Sequence, residues 1–397
     1  MRRLVLHRLG IAFMALSSTV QTTLLRHQQA IYRTLRAAVD QAISTDVSTL
    51  RPFYGQMQYH LGWVDAHYAA TQSNPGKLLR PTLLLLAYEA AGAWGLADDA
   101  TESSAYLERA LPAAAAIELT HNFTLIHDDI EDSDAERRHR STLWKVWGIP
   151  QAINTGDGMF ALARLTLWNV LEKGVESAIA ARLGVALDRA CLILSEGQYL
   201  DISFEEQQAV AVATYVDMIS RKTGALMACA AEMGARLGTR SEETIERLSN
   251  FGRAMGIAFQ ARDDLLGIWA TTAESGKTPA GDVYRRKKSL PVLHALEHTG
   301  PQDQKTLRRI YQQEEPITTA QVEDVLAIFE QAHTKTYCRD FLAQQCQLAY
   351  TALTSIPHYD NLVSTRARDD MATLVHFVED PYANFQSVTV VPEADAS

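Results

Sequence analysis

The chain has 397 residues, 47% of them hydrophobic and 21% charged, which leaves ample apolar surface for a core and excludes a mostly disordered polymer. Lys plus Arg number 37 against 47 Asp plus Glu, a formal net charge of −10. A chain this acidic makes a poor general nucleic-acid binder, and no nucleic-acid partner is expected. Glycine (21) and proline (12) are sparse for the length, which favours helix over sheet.

In chain order, Met1-Arg2-Arg3 precedes an apolar run from Leu9 to Leu16 that is short for a secretory signal, and Met14 offers a simpler start. Residues 1–24 are therefore assigned to an N-terminal extension. No run approaches the roughly 18–20 apolar residues of a membrane span, so no transmembrane segment is expected. The four cysteines, Cys191, Cys229, Cys338 and Cys346, lack CxxC spacing and read as reduced core thiols of a cytoplasmic protein. Helical periodicity runs from about Thr22 to Glu379, clearest in Thr82–Gly92, Ala113–Asp132, Gly158–Lys173, Ile179–Phe204, Val212–Leu237, Ser241–Trp269 and Ala320–Thr354. Breakers at Leu111-Pro112, Gly148-Ile149-Pro150, Gly300-Pro301 and Ile356-Pro357 separate these segments. No alternating strand of useful length occurs and no flexible linker cuts the middle. The fold class expected is all-α, one large helical bundle over residues 25–379 around a central cavity, with 380–397 a loose tail.

The helix Ala113–Asp132 carries unusual polar groups. At about 100° per residue, Asp128 and Asp132 lie about 40° apart, with His121 between them two turns below. Two carboxylates one turn apart on an Ala- and Leu-rich helix repel each other and lose hydration unless a cation sits between them. Oxygen ligands without thiols point to Mg²⁺, which bridges carboxylates to substrate phosphates. A second acidic pair, Asp263-Asp264, ends another apolar helix and is followed by Lys277 and Arg285-Arg286-Lys287-Lys288. Lys77 and Arg80 stand at the start of a helix, where the dipole favours anions. Acidic pairs flanked by cations suit a metal-chelated polyphosphate.

These residues resemble the trans-isoprenyl diphosphate synthases, the head-to-tail polyprenyl synthases. Asp128-Asp129-Ile130-Glu131-Asp132 is similar to the family's first DDxxD motif, with Arg137-Arg138 beginning five residues later. Gly76-Lys77-x-x-Arg80-Pro81 resembles the GKxxRP element, Gly197-Gln198-Tyr199-Leu200-Asp201 the GQxxD segment, and Lys222-Thr223-Gly224 the KTG segment. Phe259-Gln260-x-x-Asp263-Asp264 is similar to the second acidic motif, except that its usual third Asp is Gly267 here. That departure implies weakened or rearranged metal binding.

The resemblance implies that Asp128, Asp132 and Asp263 hold Mg²⁺, three ions with substrate bound, and that Asp129, Asp201 and Asp264 stand behind these ligands. Arg137, Lys222 and Lys287 would face the diphosphate of a dimethylallyl, geranyl or farnesyl substrate, while Thr223 and Gln260 lie beside the allylic cation. Lys77, Arg80, His121 and Arg138 would hold isopentenyl diphosphate. Phe123 and Thr124, one turn before Asp128, would set chain length; an aromatic beside a small residue resembles synthases of geranylgeranyl diphosphate (C20). A farnesyl diphosphate (C15) synthase, a class I terpene cyclase and a weakly active subunit of a heteromeric synthase are the alternatives, and the family implies a homodimer. A di-iron bundle, suggested by Glu118-x-x-His121, lacks a second ExxH to pair with.

Overall fold

The structure, a computed structural model, describes residues 20–43, 48–71, 76–97, 105–207, 209–271 and 279–381. Lys277, most of the N-terminal extension and nearly all of the C-terminal tail lie outside the described residues. Sixteen α-helices are described: α1 (Gln28–Ile43), α2 (Arg51–His60), α3 (Leu79–Ala90), α4 (Leu111–Glu131), α5 (Leu143–Trp147), α6 (Ile149–Trp168), α7 (Ser177–Glu206), α8 (Val212–Ile219), α9 (Ala225–Gly238) and α10 (Glu242–Trp269), then α11 (Gly281–Tyr284), α12 (Leu290–His298), α13 (Pro301–Gln312), α14 (Thr319–Gln331), α15 (Thr334–Thr354) and α16 (Leu362–Glu379). The only strands among the described residues are the two-residue pair β1 (Glu136–Arg137) and β2 (Arg140–Ser141). The expected all-α fold is thus the observed one.

Local chemistry explains many of the boundaries. Pro112 and Pro150 start α4 and α6, because an N–H missing from the first turn has no intrahelical partner to lose. Both positions read as breakers in the sequence, and the helices begin on them. Ser241 caps α10 by accepting from the Thr244 N–H, and Thr318 and Gln321 form a reciprocal capping box on α14. Two long periodic segments are interrupted. A π-turn at Ser220–Gly224 divides Val212–Leu237, and His333, in the left-handed region at φ +53°, divides Ala320–Thr354.

The centre is made by helices that are apolar all round. Leu83, Leu84, Leu85 and Leu86 on α3 are all buried, which requires protein on every side of that helix. α3 packs on α9, α9 on α10, and α4 on α6. Two clusters of buried side chains result: one spans α3, α8, α10 and the C-terminal helices, and the other spans α1, α4, α6 and the inner face of α7. Val20 and Leu24, within the stretch assigned to the extension, are buried in the first cluster. Among the described residues no helix is long and apolar enough to cross a membrane.

The α3–α9 crossing is close because α9 presents Gly234. A Cβ there would collide with the Leu84 carbonyl oxygen and approach Leu84 C and Tyr88 N to 3.0 Å, all backbone atoms that cannot swing aside. Gly234→Ala is expected to lower stability by about 2–3 kcal/mol through this overpacking. Urea unfolding checks it, and an unchanged midpoint would show that the helices separate without cost.

Candidate active site

The apolar bundle holds a cavity of about 620 Å³ whose lining includes Lys77, Arg80, Glu118, His121, Arg137, Arg138, Thr223, Gln260 and Asp263. Eight predicted site residues therefore converge from segments nearly 190 positions apart. Leu125, Met227 and Phe259 supply apolar wall between them.

Each segment reaches the cavity by a different local device. Leu78, at φ +48°, turns the chain into α3, whose first turn has no side-chain cap and carries N–H groups at Leu79 and Arg80, where an anion is favoured. The β1–β2 hairpin reverses through Arg138 (φ +53°) and His139 (φ +61°), two successive left-handed residues, as a tight two-residue turn of right-handed strands demands. The π-turn carries Lys222 and Thr223. Such turns place side chains that regular α-helix would rotate away.

The first acidic motif occupies the end of α4, with Asp132 as its C-terminal cap residue. Burial pushes the Asp128 carboxyl up to about 6, Lys222 opposing and Asp132 and Glu131 adding to the rise. Asp132 is raised by burial too, and again Lys222 opposes it. Asp129 points elsewhere: it is buried and accepts from Arg137 Nε at 2.5 Å, and burial lifts it to about 6 despite that arginine. Lys222 donates to Asp201 at 2.6 Å. Burial disfavours the Lys222 charge, but Asp201, Asp128 and Asp132 outweigh it, so the ammonium is held more firmly than usual.

The second acidic pair divides its labour. Asp263 is exposed to the cavity. Asp264 is fully buried and accepts from the Tyr215 hydroxyl (2.6 Å), Gln260 Nε2 (3.1 Å) and the Leu290 N–H (3.2 Å), with Lys287 Nζ at 3.6 Å. Gln260 also accepts from Thr223 Oγ1 at 3.3 Å, which ties the π-turn to α10. Among the described residues no three His, Cys, Asp or Glu side chains are gathered as a cage for one ion, so Asp128, Asp132 and Asp263 are not brought together in that way.

On the cationic side, Arg80 Nη1 lies 3.0 Å from His121 Nε2. Burial, then Arg80 and Arg138, hold His121 well below its usual range, so it is neutral. Glu118 is buried beside this group and its carboxyl is raised by burial, with Arg138 and Arg80 opposing. Phe123 and Thr124 are not among the residues lining the cavity. Phe123 packs edge-on against Phe160 at 5.0 Å, and Thr124 is buried with its hydroxyl donating to the His121 carbonyl.

Three residues near the site carry no motif. Tyr215 anchors Asp264, and His60 is held down to about 3 by burial and then Arg138. Asp282 approaches Gly267 from α11.

Residues 62–329 match the sequence model of the polyprenyl synthetase family. The chain belongs to that family. It is 34% identical over 340 residues to a geranylgeranyl diphosphate synthase of Mycobacterium tuberculosis, covering 85% of this chain and 91% of that one. It is 40% identical over 244 residues to a (2E,6E)-farnesyl diphosphate synthase of Mycobacterium bovis, covering 62% of this chain and 63% of that one. The fold matches a polyprenyl synthetase from Streptomyces coelicolor A3(2) with a TM-score of 0.77 and 36% identity, over 90% of this chain and 99% of that one. This polyprenyl synthetase is accordingly a trans-prenyltransferase.

In the polyprenyl synthetase, ionised Asp128 is a local liability. Its folded-state pKa is raised, so the stability linked to this group is present at low pH and lost as pH rises through about 6. Asp128→Asn is expected to stabilise the protein by about 1–2 kcal/mol at pH 8 and by about half as much at pH 5. Urea midpoints at the two pH values check this; a gain equal at both would remove the charge as its cause.

Proposed function

We propose that the enzyme condenses isopentenyl diphosphate with an allylic diphosphate (dimethylallyl, geranyl or farnesyl) in a Mg²⁺-dependent reaction whose main product is geranylgeranyl diphosphate. The observation that carries this reading is that one cavity is lined both by Lys77, Arg80, His121 and Arg138 and by Thr223, Gln260 and Asp263. A terpene cyclase, which binds a single diphosphate, has no use for the first set.

Lys77, Arg80 and Arg138 would hold the diphosphate of isopentenyl diphosphate, with neutral His121 offering one hydrogen bond instead of a further charge. Lys222, Lys287 and Arg137 would meet the allylic diphosphate. Lys222 and Lys287 are both kept cationic by carboxylates that outweigh their desolvation. Asp128, Asp132 and Asp263 would hold Mg²⁺. The fit rests on two raised carboxyls one turn apart and on donors that are all hard oxygens. When bound, the ion stabilises negative charge developing on the leaving diphosphate. Thr223 and Gln260 turn oxygen toward the allylic cation, and Leu125, Met227 and Phe259 keep water from trapping it. The proton lost after carbon–carbon bond formation goes to the departing diphosphate.

By the resemblance, Phe123 stands beneath the cavity as a floor to the growing chain. The Phe123 ring is backed by Phe160, itself covered by the Arg164 guanidinium at 3.3 Å, and Arg164 pairs with Asp188 on α7 at 2.8 Å. A ring braced in this way resists a lengthening chain. The full chain with Mg²⁺, isopentenyl diphosphate and each starter should give C20, and Phe123→Ala should shift products beyond C20, read by chromatography of the dephosphorylated alcohols. C15 alone would overturn the length, and no elongation of any starter would overturn the reaction.

We also propose that the enzyme pairs with a second copy of itself. Val185 (56% exposed), Leu192 (63%) and Tyr199 (71%) recur every seven residues along α7, and Leu165 (66%) and Trp168 (45%) stand exposed on the neighbouring α6. Such a stripe marks a protein contact. Sedimentation should give a dimer, with Leu192→Glu monomeric; a monomeric parent at micromolar concentration would overturn the proposal.

A further inference from the structure

The second acidic motif lacks its third carboxylate at Gly267, and the space it leaves is filled. A Cβ on Gly267 would lie 2.5 Å from Asp282 Cγ and 2.9 Å from its Oδ1, closer than real side chains approach. Asp282 belongs to α11, enters this space from outside α10 and is only 4% exposed. Its Oδ1 accepts from Arg285 Nη2 at 2.6 Å, and its backbone carbonyl accepts the Lys287 N–H at 2.9 Å. Asp282 therefore anchors the turn that delivers Lys287, its carboxylate seated against Gly267 and its carbonyl closing on the Lys287 N–H, while the Lys287 ammonium lies 3.6 Å from Asp264.

We propose that Asp282 is a positioning residue for Lys287, taking from a separate helix the place in space that the motif leaves open, and that Gly267 is required because it admits that carboxylate. The electrostatics agree: Asp264 first and Asp282 second are the carboxylates that outweigh the desolvation of Lys287 and keep it charged. Burial first and Asp282 second raise the Tyr311 hydroxyl, so the charge of Asp282 is felt inside the protein and not only at the surface. A buried carboxylate of this kind is retained only if its partners hold it there. Arg285 satisfies Oδ1 from the solvent side, and the other oxygen is the one nearest Gly267.

The inference rests on the proposed role of Lys287 in binding the allylic diphosphate, and the experiment separates the two. Parent, Asp282→Asn, Lys287→Ala and the double variant are compared for KM toward geranyl diphosphate and isopentenyl diphosphate. Binding of geranyl S-thiolodiphosphate, which cannot ionise readily, is measured in parallel by calorimetry. We expect Asp282→Asn to raise the geranyl diphosphate KM and the analogue Kd about five- to tenfold, the isopentenyl diphosphate KM less than twofold, and to add less than twofold to Lys287→Ala. Should Asp282→Asn fail to fold, Gly267→Ala displaces the same carboxylate from the opposite side and must show the same split. Equal effects on both substrates, an undiminished effect in the Lys287→Ala background, or parental constants in a folded variant would overturn the proposal. A Lys287→Ala enzyme with parental geranyl diphosphate binding would instead overturn the role of Lys287 itself.

Discussion

Ionised groups on helices whose bodies are apolar are the constraint from which the site follows. Desolvation alone would neutralise such groups, so each must find counter-charge or hydrogen bonds within the bundle. Asp264 is the limiting case: fully buried, it draws in a tyrosine hydroxyl, an amide side chain, a backbone N–H and an ammonium from three segments of the chain. Asp129 has Arg137, and Lys222 has Asp201. For Asp128 and Asp132 the opposing cation is Lys222, and burial raises their carboxyls as it raises those of Asp129 and Asp264. Burial thus leaves the carboxylates around the site only partly compensated, a distribution typical of functional sites.

Bringing partners from distant segments requires backbone that is not regular. Leu78, Arg138, His139, Ala280 and Arg286 all adopt positive φ, and each lies in or beside a segment that delivers a site residue. For side chains with a Cβ this conformation costs about 1 kcal/mol or more, so it persists only where surrounding structure enforces it. The enforcing structure is the pair of apolar clusters on either side of α3 and α9. Rigid packing of central helices, as at Gly234, makes strained and charged connections sustainable around them.

Much of this was legible in the sequence because the chemistry demands residue types at fixed helical spacing. The acidic pairs, the cations at 77 and 80, and the pair at 137 and 138 are local patterns, and local patterns survive in one dimension. The helices were readable too, since apolar residues recur at 3.6-residue intervals. What escaped is whatever depends on tertiary approach. Tyr215 has no motif, because its role consists in meeting a residue 49 positions away. Glu118 could be read only as half of a metal motif, whereas the fold sets it among arginines as counter-charge. The π-turn was hidden because Ser220–Gly224 keeps helical periodicity on either side. Pro112 and Pro150 were read as interruptions, since proline ends helices and begins them with equal ease.

Gly267 carries this distinction furthest. In one dimension it is a missing ligand, and the natural inference is a weakened metal site. In three dimensions the missing Cβ is the condition for another carboxylate to occupy the same volume, brought by a helix that begins fourteen residues later. The unit that physics constrains is the charge at a position, since the field at Lys287 depends on where a carboxylate lies and not on which helix carries it. A linear motif records only those arrangements in which one helix supplies every member. Where a second element supplies one, the motif reads as damaged although a carboxylate still occupies the volume.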